Sequence, residues 1–336
     1  MTDELPTNTE SYSGADLAAA ANADELIAVD IGNARIKVGR FERRRIHAPN
    51  QGGTEPTAAL PEPDATLPLD GRRPAFDRLA QWLDSPELVS ADGLGRPAGS
   101  KASPASRQRT RAWWVASVNR PTTARLLDWL HEQRPRDRVV LLSSADLPLK
   151  VQGPRADMVG VDRLIDAVAA NALRTPGRPA VVVDVGTAIT VDYLDDEGAF
   201  RGGAILPGIA MSARALHEFT DLLPLIEMSE LSSPPKPVGS TTEDAMRAGL
   251  FWLAVGAIRE LTRRGAIDGP SEASPDDQTR GAAQTEIFLS GGAGAAVADL
   301  LGQQARHVPH LTLGGIALTA RTAPHLEQAA RGERAI

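Results

Sequence analysis

Two stretches of this chain, nearly half its length apart, carry the same short pattern. Asp30-Ile31-Gly32-Asn33-Ala34-Arg35-Ile36-Lys37-Val38 aligns without gaps on Asp184-Val185-Gly186-Thr187-Ala188-Ile189-Thr190-Val191-Asp192, and each copy follows an apolar run. The pattern predicts a strand ending in Asp, a tight turn and a returning strand. Two copies, each opening one half of the chain, predict a tandem duplication of one α/β domain. Such a turn sets a carboxylate beside free backbone N–H groups, and its glycine lets an anion approach closely. The carboxylate suits Mg²⁺, which keeps most of its waters and takes one or two protein carboxylates. One such hairpin is commonplace; two facing each other across a cleft point to a nucleotide triphosphate gripped from both sides.

At 336 residues the chain has room for two domains of ordinary size. Three stretches read as poorly foldable: a tail at 1–23 and inserted loops at 90–110 and 268–283. The halves are then 24–175 and 176–330. Lys plus Arg number 36 against 43 Asp plus Glu, a net charge of −7, which argues against nucleic acid as the main partner. The basic residues of the 90–110 loop lack interleaved aromatics and read as a solvated insertion. With 0 cysteines there are no disulfides, thiolate metal sites or cysteine nucleophiles, in keeping with a reducing, cytoplasmic setting. The 6 histidines form no HxxxH or HxH pair. The acidic N-terminus has no signal-peptide pattern, and no apolar run is long enough to predict a membrane span.

Periodicity predicts strands over 26–31, 35–41, 112–118, 138–144 and 285–290, and three more between 180 and 207. Helices are expected over 122–133, 161–173, 208–218, 242–264, 294–303 and from Leu313 into the 320s, with an amphipathic stretch near 76–83. Residues 49–74 read as a Pro-rich connection. Trp113 and Trp114 adjoin in a strand and so point to opposite faces, which suggests one in the core and one at an interface.

The stretches VDIGNARIKVG (29–39), VGVDRLIDAVAA (159–170), VVDVGTAITVD (182–192), GAFRGGAILPGIAMSARAL (198–216), VGSTTEDAMRAGL (238–250) and IFLSGGAGAAV (287–297) together resemble the type III pantothenate kinases, within the acetate and sugar kinase, Hsp70 and actin superfamily. The G-x-D-R motif and the long GG-x-I-x-PG run are the specific signals; the turns are generic to the superfamily. The resemblance implies duplicated ribonuclease-H-like (actin-like ATPase) domains with a nucleotide cleft between them, and ATP-dependent phosphorylation of pantothenate to 4′-phosphopantothenate, the first step of coenzyme A biosynthesis. It also implies Mg²⁺ with ATP, a monovalent cation (K⁺ or NH₄⁺) and a homodimer. A kinase for another small hydroxylated metabolite, or a non-catalytic nucleotide sensor, is the alternative.

Carried over by residue, the resemblance places Asp30, Gly32, Asn33 and Lys37 at the ATP phosphates, with Gly186 and Thr187 as the second cradle and Gly291 and Gly292 on the adenosine side. Asp30 and Asp184 become the metal-side carboxylates. Asp162 becomes the catalytic proton acceptor, kept ionised by Arg163, and Gly160, Arg163 and Thr242 contact the acceptor substrate. Each has a plainer reading: Asp162 or Thr242 as the start of a helix, Arg163 as surface, Gly202, Gly203 and Gly208 as turn punctuation. The chain departs from the family pattern in three places. Ala34 stands where a threonine is usual, Gly239-Ser240-Thr241-Thr242 lacks an asparagine, and no tyrosine precedes the G-x-D-R motif.

Overall fold

The structure, a computed structural model, describes residues 20–43, 60–85, 110–153, 156–227, 234–267, 285–302 and 305–330. Of the segments read as tail and inserted loops, only 20–23 and Thr110 fall among these; the rest lie outside the described residues.

The first half is a five-stranded sheet in the order β3-β2-β1-β4-β5, built from β1 (Glu25–Ile31), β2 (Arg35–Glu42), β3 (Ala65–Asp70), β4 (Arg111–Ser117) and β5 (Arg138–Leu141). The second comprises β6 (Ala180–Val185), β7 (Ala188–Leu194), β8 (Phe200–Pro207), β9 (Glu286–Ser290) and β10 (Ala305–His307), in the order β10-β9-β6-β7-β8. Read from the other edge, that is the first order again. In both sheets the first three strands run antiparallel and the fourth and fifth add in parallel. The duplication is therefore present in topology, and the chain is a pair of ribonuclease-H-like domains.

The echo is not gapless in space. Ile31 pairs with Ile36 in the first hairpin, but Val185 pairs with Ile189 in the second, one residue sooner. Opposite Asp30 stands Lys37, whereas opposite Asp184 stands Thr190, not the Val191 that the alignment requires. The shorter second turn draws the returning strand in by one position.

The helices are α1 (Phe76–Asp84), α2 (Arg120–Gln133), α3 (Val161–Leu173), α4 (Ile209–Glu218), α5 (Thr242–Ile267), α6 (Gly294–Leu301) and α7 (Leu311–Ala330). α1 and α2 cover the outer face of the first sheet, where Leu79, Leu83, Leu126 and Leu130 meet Ile27, Val29 and Ile31. α4, α5 and α6 cover the outer face of the second. Between the two sheets lie α3 and α7, whose Leu164, Ile165, Val168, Leu313 and Ile316 share one core with Ala28, Trp114, Val182 and Phe288. The buried run of α3, Leu164 to Ala170, is apolar but for Asp166, and that of α7, Leu311 to Ala320, is apolar but for Thr312 and Thr319 and the two glycines. α7 comes last in the chain yet packs on α3, β1 and β4 of the first half, so chain order is not spatial order here. Backbone approach is close enough that a Cβ on Gly315 would stand 2.5 Å from the Ile165 carbonyl oxygen.

Three expectations need correcting. The 49–74 segment contains the edge strand β3, whose Leu67 and Leu69 are buried while Thr66 and Pro68 are exposed. Pro68 disguises the alternation, but an edge strand accommodates it because one row of N–H groups has no partner strand. β5 stops at Leu141, since Asp146 accepts the Ser143 N–H at 2.8 Å and its hydroxyl at 2.7 Å and turns the chain into a short 3₁₀ segment, Ser144–Asp146. Trp113 and Trp114 do face opposite ways, yet both are fully buried: β4 is central, and Trp114 packs in the layer shared by the two halves, leaving neither at an exterior interface.

At the end of the first sheet remote from the hairpin turn, the Glu25 carboxylate is buried and ion-paired with both Arg40 and Arg111. Removing one member of a buried ionic cluster strands the others without compensation. Glu25→Gln is expected to destabilise the fold by about 3–5 kcal/mol, read from chemical denaturation with the slope unchanged.

Candidate active site

Strand alternation places the two repeated carboxylates. Leu26 and Ala28 face the shared helical layer, so Asp30 does too; Ala180 and Val182 face it from the other sheet, and so does Asp184. Each Asp has one strong partner from a neighbouring strand. Lys37 Nζ lies 3.2 Å from Asp30 Oδ2, and Ser290 donates its hydroxyl to Asp184 Oδ1 at 2.7 Å. The hairpin turns beyond them, Gly32-Asn33 and Gly186-Thr187, are closed by Gly32 N–H to the Arg35 carbonyl at 3.0 Å and Gly186 N–H to the Ala188 carbonyl at 3.1 Å. Asn33, Gly186 and Thr187 are exposed, so the tips of both turns reach solvent. Gly291 lies beside it with φ +88, and a Cβ there would fall 2.4 Å from the Val185 carbonyl oxygen, so only glycine fits. Gly292 next to it is exposed.

α3 begins at Val161, with Gly160 as its N-cap residue, and Asp162 lies in its first turn. Asp162 Oδ1 accepts the Arg163 N–H at 2.8 Å, so its carboxylate does engage the start of its own helix. Burial, and then the field of Asp184, push its pKa up, while that backbone N–H and Arg163 act the other way. Arg163 does favour the ionised form of Asp162, as expected, but burial outweighs it. The Arg163 guanidinium is spent on Asp192, with Nε 3.1 Å from both carboxylate oxygens and Nη2 closing the second bond. Nor is Arg163 a surface residue, being mostly buried.

Three residues of this site were not legible as such. Asp166 stands one turn after Asp162 on the same helical face, inside what reads as an apolar run, and is buried in the shared layer with its Oδ1 unpartnered. Burial, followed by Asp184, pushes it well above the ordinary carboxylate range against a hydrogen bond from Thr312 and the charge of Lys37. Asp192 sits at the end of the second echo, where the gapless alignment pairs it with Val38 and so conceals it; burial raises it to about 6. Ser290 immediately precedes the Gly291-Gly292 turn. Asp30 is likewise raised by burial, with Lys37 lowering it and Asp162 and Asp184 raising it. Asp30, Lys37, Asp162, Asp166 and Asp184 thus share one electrostatic field in which four carboxylates face one ammonium.

Thr242 belongs to a different feature. Thr241, not Thr242, accepts the Asp244 N–H at the start of α5, at 3.1 Å. Thr242 is exposed and, with Pro207, Phe219, Leu223, Leu250 and Leu253, lines an apolar groove of about 780 Å³ between α4 and α5. None of the carboxylates borders that groove. Phe219 and Leu222 beside it are 86% and 87% exposed.

A matched pair of ribonuclease-H-like sheets, each with an Asp next to the end of its first strand and facing one shared layer, is the architecture of the actin-like ATPase fold. The model of the type III pantothenate kinase family matches residues 86–264. The chain is 31% identical to the type III pantothenate kinase of Dehalococcoides mccartyi over 88% of its own length and 96% of that protein's, and 30% identical to that of Rubrobacter xylanophilus over 87% and 95%. A third relative, from Rhodopirellula baltica, is 34% identical over 70% and 82%. The chain belongs to the type III pantothenate kinase family. Among solved structures, the ethanolamine utilization protein EutJ of Carboxydothermus hydrogenoformans overlays with a TM-score of 0.41 at 13% identity, covering 88% of this chain and 89% of that one.

The Asp166 carboxyl holds a proton more tightly folded than unfolded, so its ionisation costs stability above its folded pKa, and the cost vanishes once pH falls below the unfolded value near 3.8. Asp166→Asn is expected to melt higher than the parent at pH 8 in metal-free buffer, the gap closing towards about pH 4. Parallel melting curves across that range would refute the assignment.

Proposed function

We propose that the chain transfers the γ-phosphoryl group of ATP to the hydroxyl of pantothenate, giving 4′-phosphopantothenate at the first step of coenzyme A biosynthesis. The observation that carries this reading, besides membership of the family, is that Asp30 and Asp184 share one field with Asp162 at the start of α3. A phosphoryl donor held by the two turns would then lie beside a proton acceptor.

The cradle residues position the triphosphate. Asn33 and Thr187 offer donors at the turn tips, Gly32 and Gly186, whose own N–H groups close the turns, let the phosphates come close to the backbone, Lys37 adds an ammonium, and Gly291-Gly292 lets the adenosine side approach the backbone. Asp30 and Asp184 fit Mg²⁺ in kind, since this ion takes only one or two protein carboxylates beside phosphate and water. When bound, Mg²⁺ neutralises phosphate charge. Four carboxylates around one ammonium would repel a triphosphate, which also supports a monovalent cation, K⁺ or NH₄⁺, near Asp184.

Asp162 is the acceptor of the hydroxyl proton. Burial makes it a better base than an ordinary Asp, and the backbone N–H it accepts fixes its direction. Gly160 and Arg163 flank it as substrate-side residues. Most of the rate in such a transfer comes from positioning and charge neutralisation.

The working form is a homodimer, in the cytoplasm. Ala245, Gly249, Leu253 and Gly256 make an exposed stripe along α5, continuous with the groove that Phe219 helps to line. That is the face a second copy would cover, and it would bring Thr242 to a shared substrate pocket.

Coupled ADP release from purified protein, with pantothenate, pantetheine and a panel of sugars, in potassium and in sodium, tests the activity. Turnover is expected with pantothenate in potassium; equal rates in sodium would remove the cation from the scheme. In Asp162→Asn, turnover should fall by roughly 10² or more while thermal stability and nucleotide binding hold. Turnover within a few-fold of the parent would leave Asp162 a helix-start residue only. For assembly, light scattering should show a dimer, and Leu253→Glu a folded monomer with little activity; a fully active monomeric parent would refute the shared pocket.

A further inference from the structure

Arg163 is held from two sides by the opposite half of the molecule. Its Nε and Nη2 edge is closed by the Asp192 carboxylate of β7, whose side chain is only 2% exposed, and the Phe200 ring of β8 lies under the guanidinium at 5.7 Å. The carboxylate is itself confined by the glycine at 203, where a Cβ would stand 2.3 Å from both Asp192 Oδ1 and the Val191 carbonyl oxygen. The second glycine of the Gly202-Gly203 pair is thus no mere turn punctuation. A planar guanidinium gripped along one edge and covered on one face has a single orientation. Its Nη1 makes none of the described hydrogen bonds and remains as the donor on the opposite edge, on a residue adjoining Asp162.

We propose that Asp192 is a positioning residue for the reaction, locking Arg163 through its Nε/Nη2 edge so that Nη1 is presented to an anionic group of the acceptor substrate. The inference rests on the pantothenate reading, since that acceptor carries a carboxylate. It also explains why a carboxylate is buried at a seam between the halves. Asp192 and Phe200 come from the second half and Arg163 from α3, so acceptor recognition depends on the two halves being docked. Other links tie the same seam: Asn171 donates to the Gly198 carbonyl at 2.7 Å, and Phe200 is bridged to Val151.

The test is a double-mutant cycle on the full chain, Asp192→Asn, Arg163→Ala and both together, with KM measured for pantothenate and for ATP. Asp192→Asn keeps shape and loses the charge that holds the arginine. It is expected to raise KM for pantothenate about tenfold or more, the size of effect a slight misplacement produces, with KM for ATP within twofold. The double variant should match Arg163→Ala alone. A pantothenate KM within twofold of the parent, or effects that multiply, overturns the proposal. Should Asp192→Asn not fold, Phe200→Leu keeps both charges and loosens the same guanidinium. A folded Phe200→Leu with raised pantothenate KM supports the proposal, and one with unchanged KM overturns it. A parent that phosphorylates no pantothenate overturns the functional reading and this inference with it; an active parent with an unaffected variant overturns the inference alone.

Discussion

Everything in this molecule hangs on one buried layer, the crossing of α3 and α7 between two sheets. Each fully buried Leu or Ile in it contributes about 1.5–3 kcal/mol of transfer free energy, and the layer is lined by such residues from both halves. The close approach at Gly315 lets the helices act as a thin spacer. Because the sheets pack on opposite sides of that spacer, the residues that alternate towards it converge. Apolar residues converge along most of its length; Asp30 and Asp184 converge at the turn end. Core and candidate site are thus two ends of the same pair of strand faces.

That placement is unfavourable for folding. Carboxylates held near one another away from water are pushed towards their protonated forms, and Asp30, Asp162, Asp166 and Asp192 all show this direction, with burial as the largest cause. Partners offset part of the cost: Lys37 at Asp30, Ser290 at Asp184, Arg163 at Asp192. Asp166 keeps an unpartnered oxygen. Groups with such perturbed pKa values cluster at functional sites, which is in keeping with the ligand site proposed at the two Asp-bearing turns. The Glu25 cluster at the other end of the same sheet differs in being paired with two arginines from neighbouring strands.

The outer helices show the complementary imbalance. α5 is apolar around most of its circumference, yet only one side of it packs on the second sheet. α3, by contrast, is buried from Leu164 to Ala170 by packing from both halves. The difference between them is the presence of a second packing surface within the chain, and this contrast motivates the dimer reading for α5.

The amino-acid sequence by itself determined the duplication, most of the strands and helices, and the two Asp-ended turns, because period-two and period-3.6 patterns and turn glycines are local properties. α3 was legible to its ends for that reason. β3 was hidden by Pro68, and the one-residue difference between the two hairpins was invisible to a gapless alignment, since register is a relation between strands. The family motifs marked Asp162 and Arg163, but not what Arg163 holds. Only the tertiary structure decided that the Arg163 guanidinium pairs with Asp192 and not with Asp162, that Asp166 is buried in the layer between the sheets, and that Thr242 lies in a separate groove. The physical reason is that a carboxylate's neighbours and burial depend on which faces of distant segments are packed together. No local pattern in the chain encodes that.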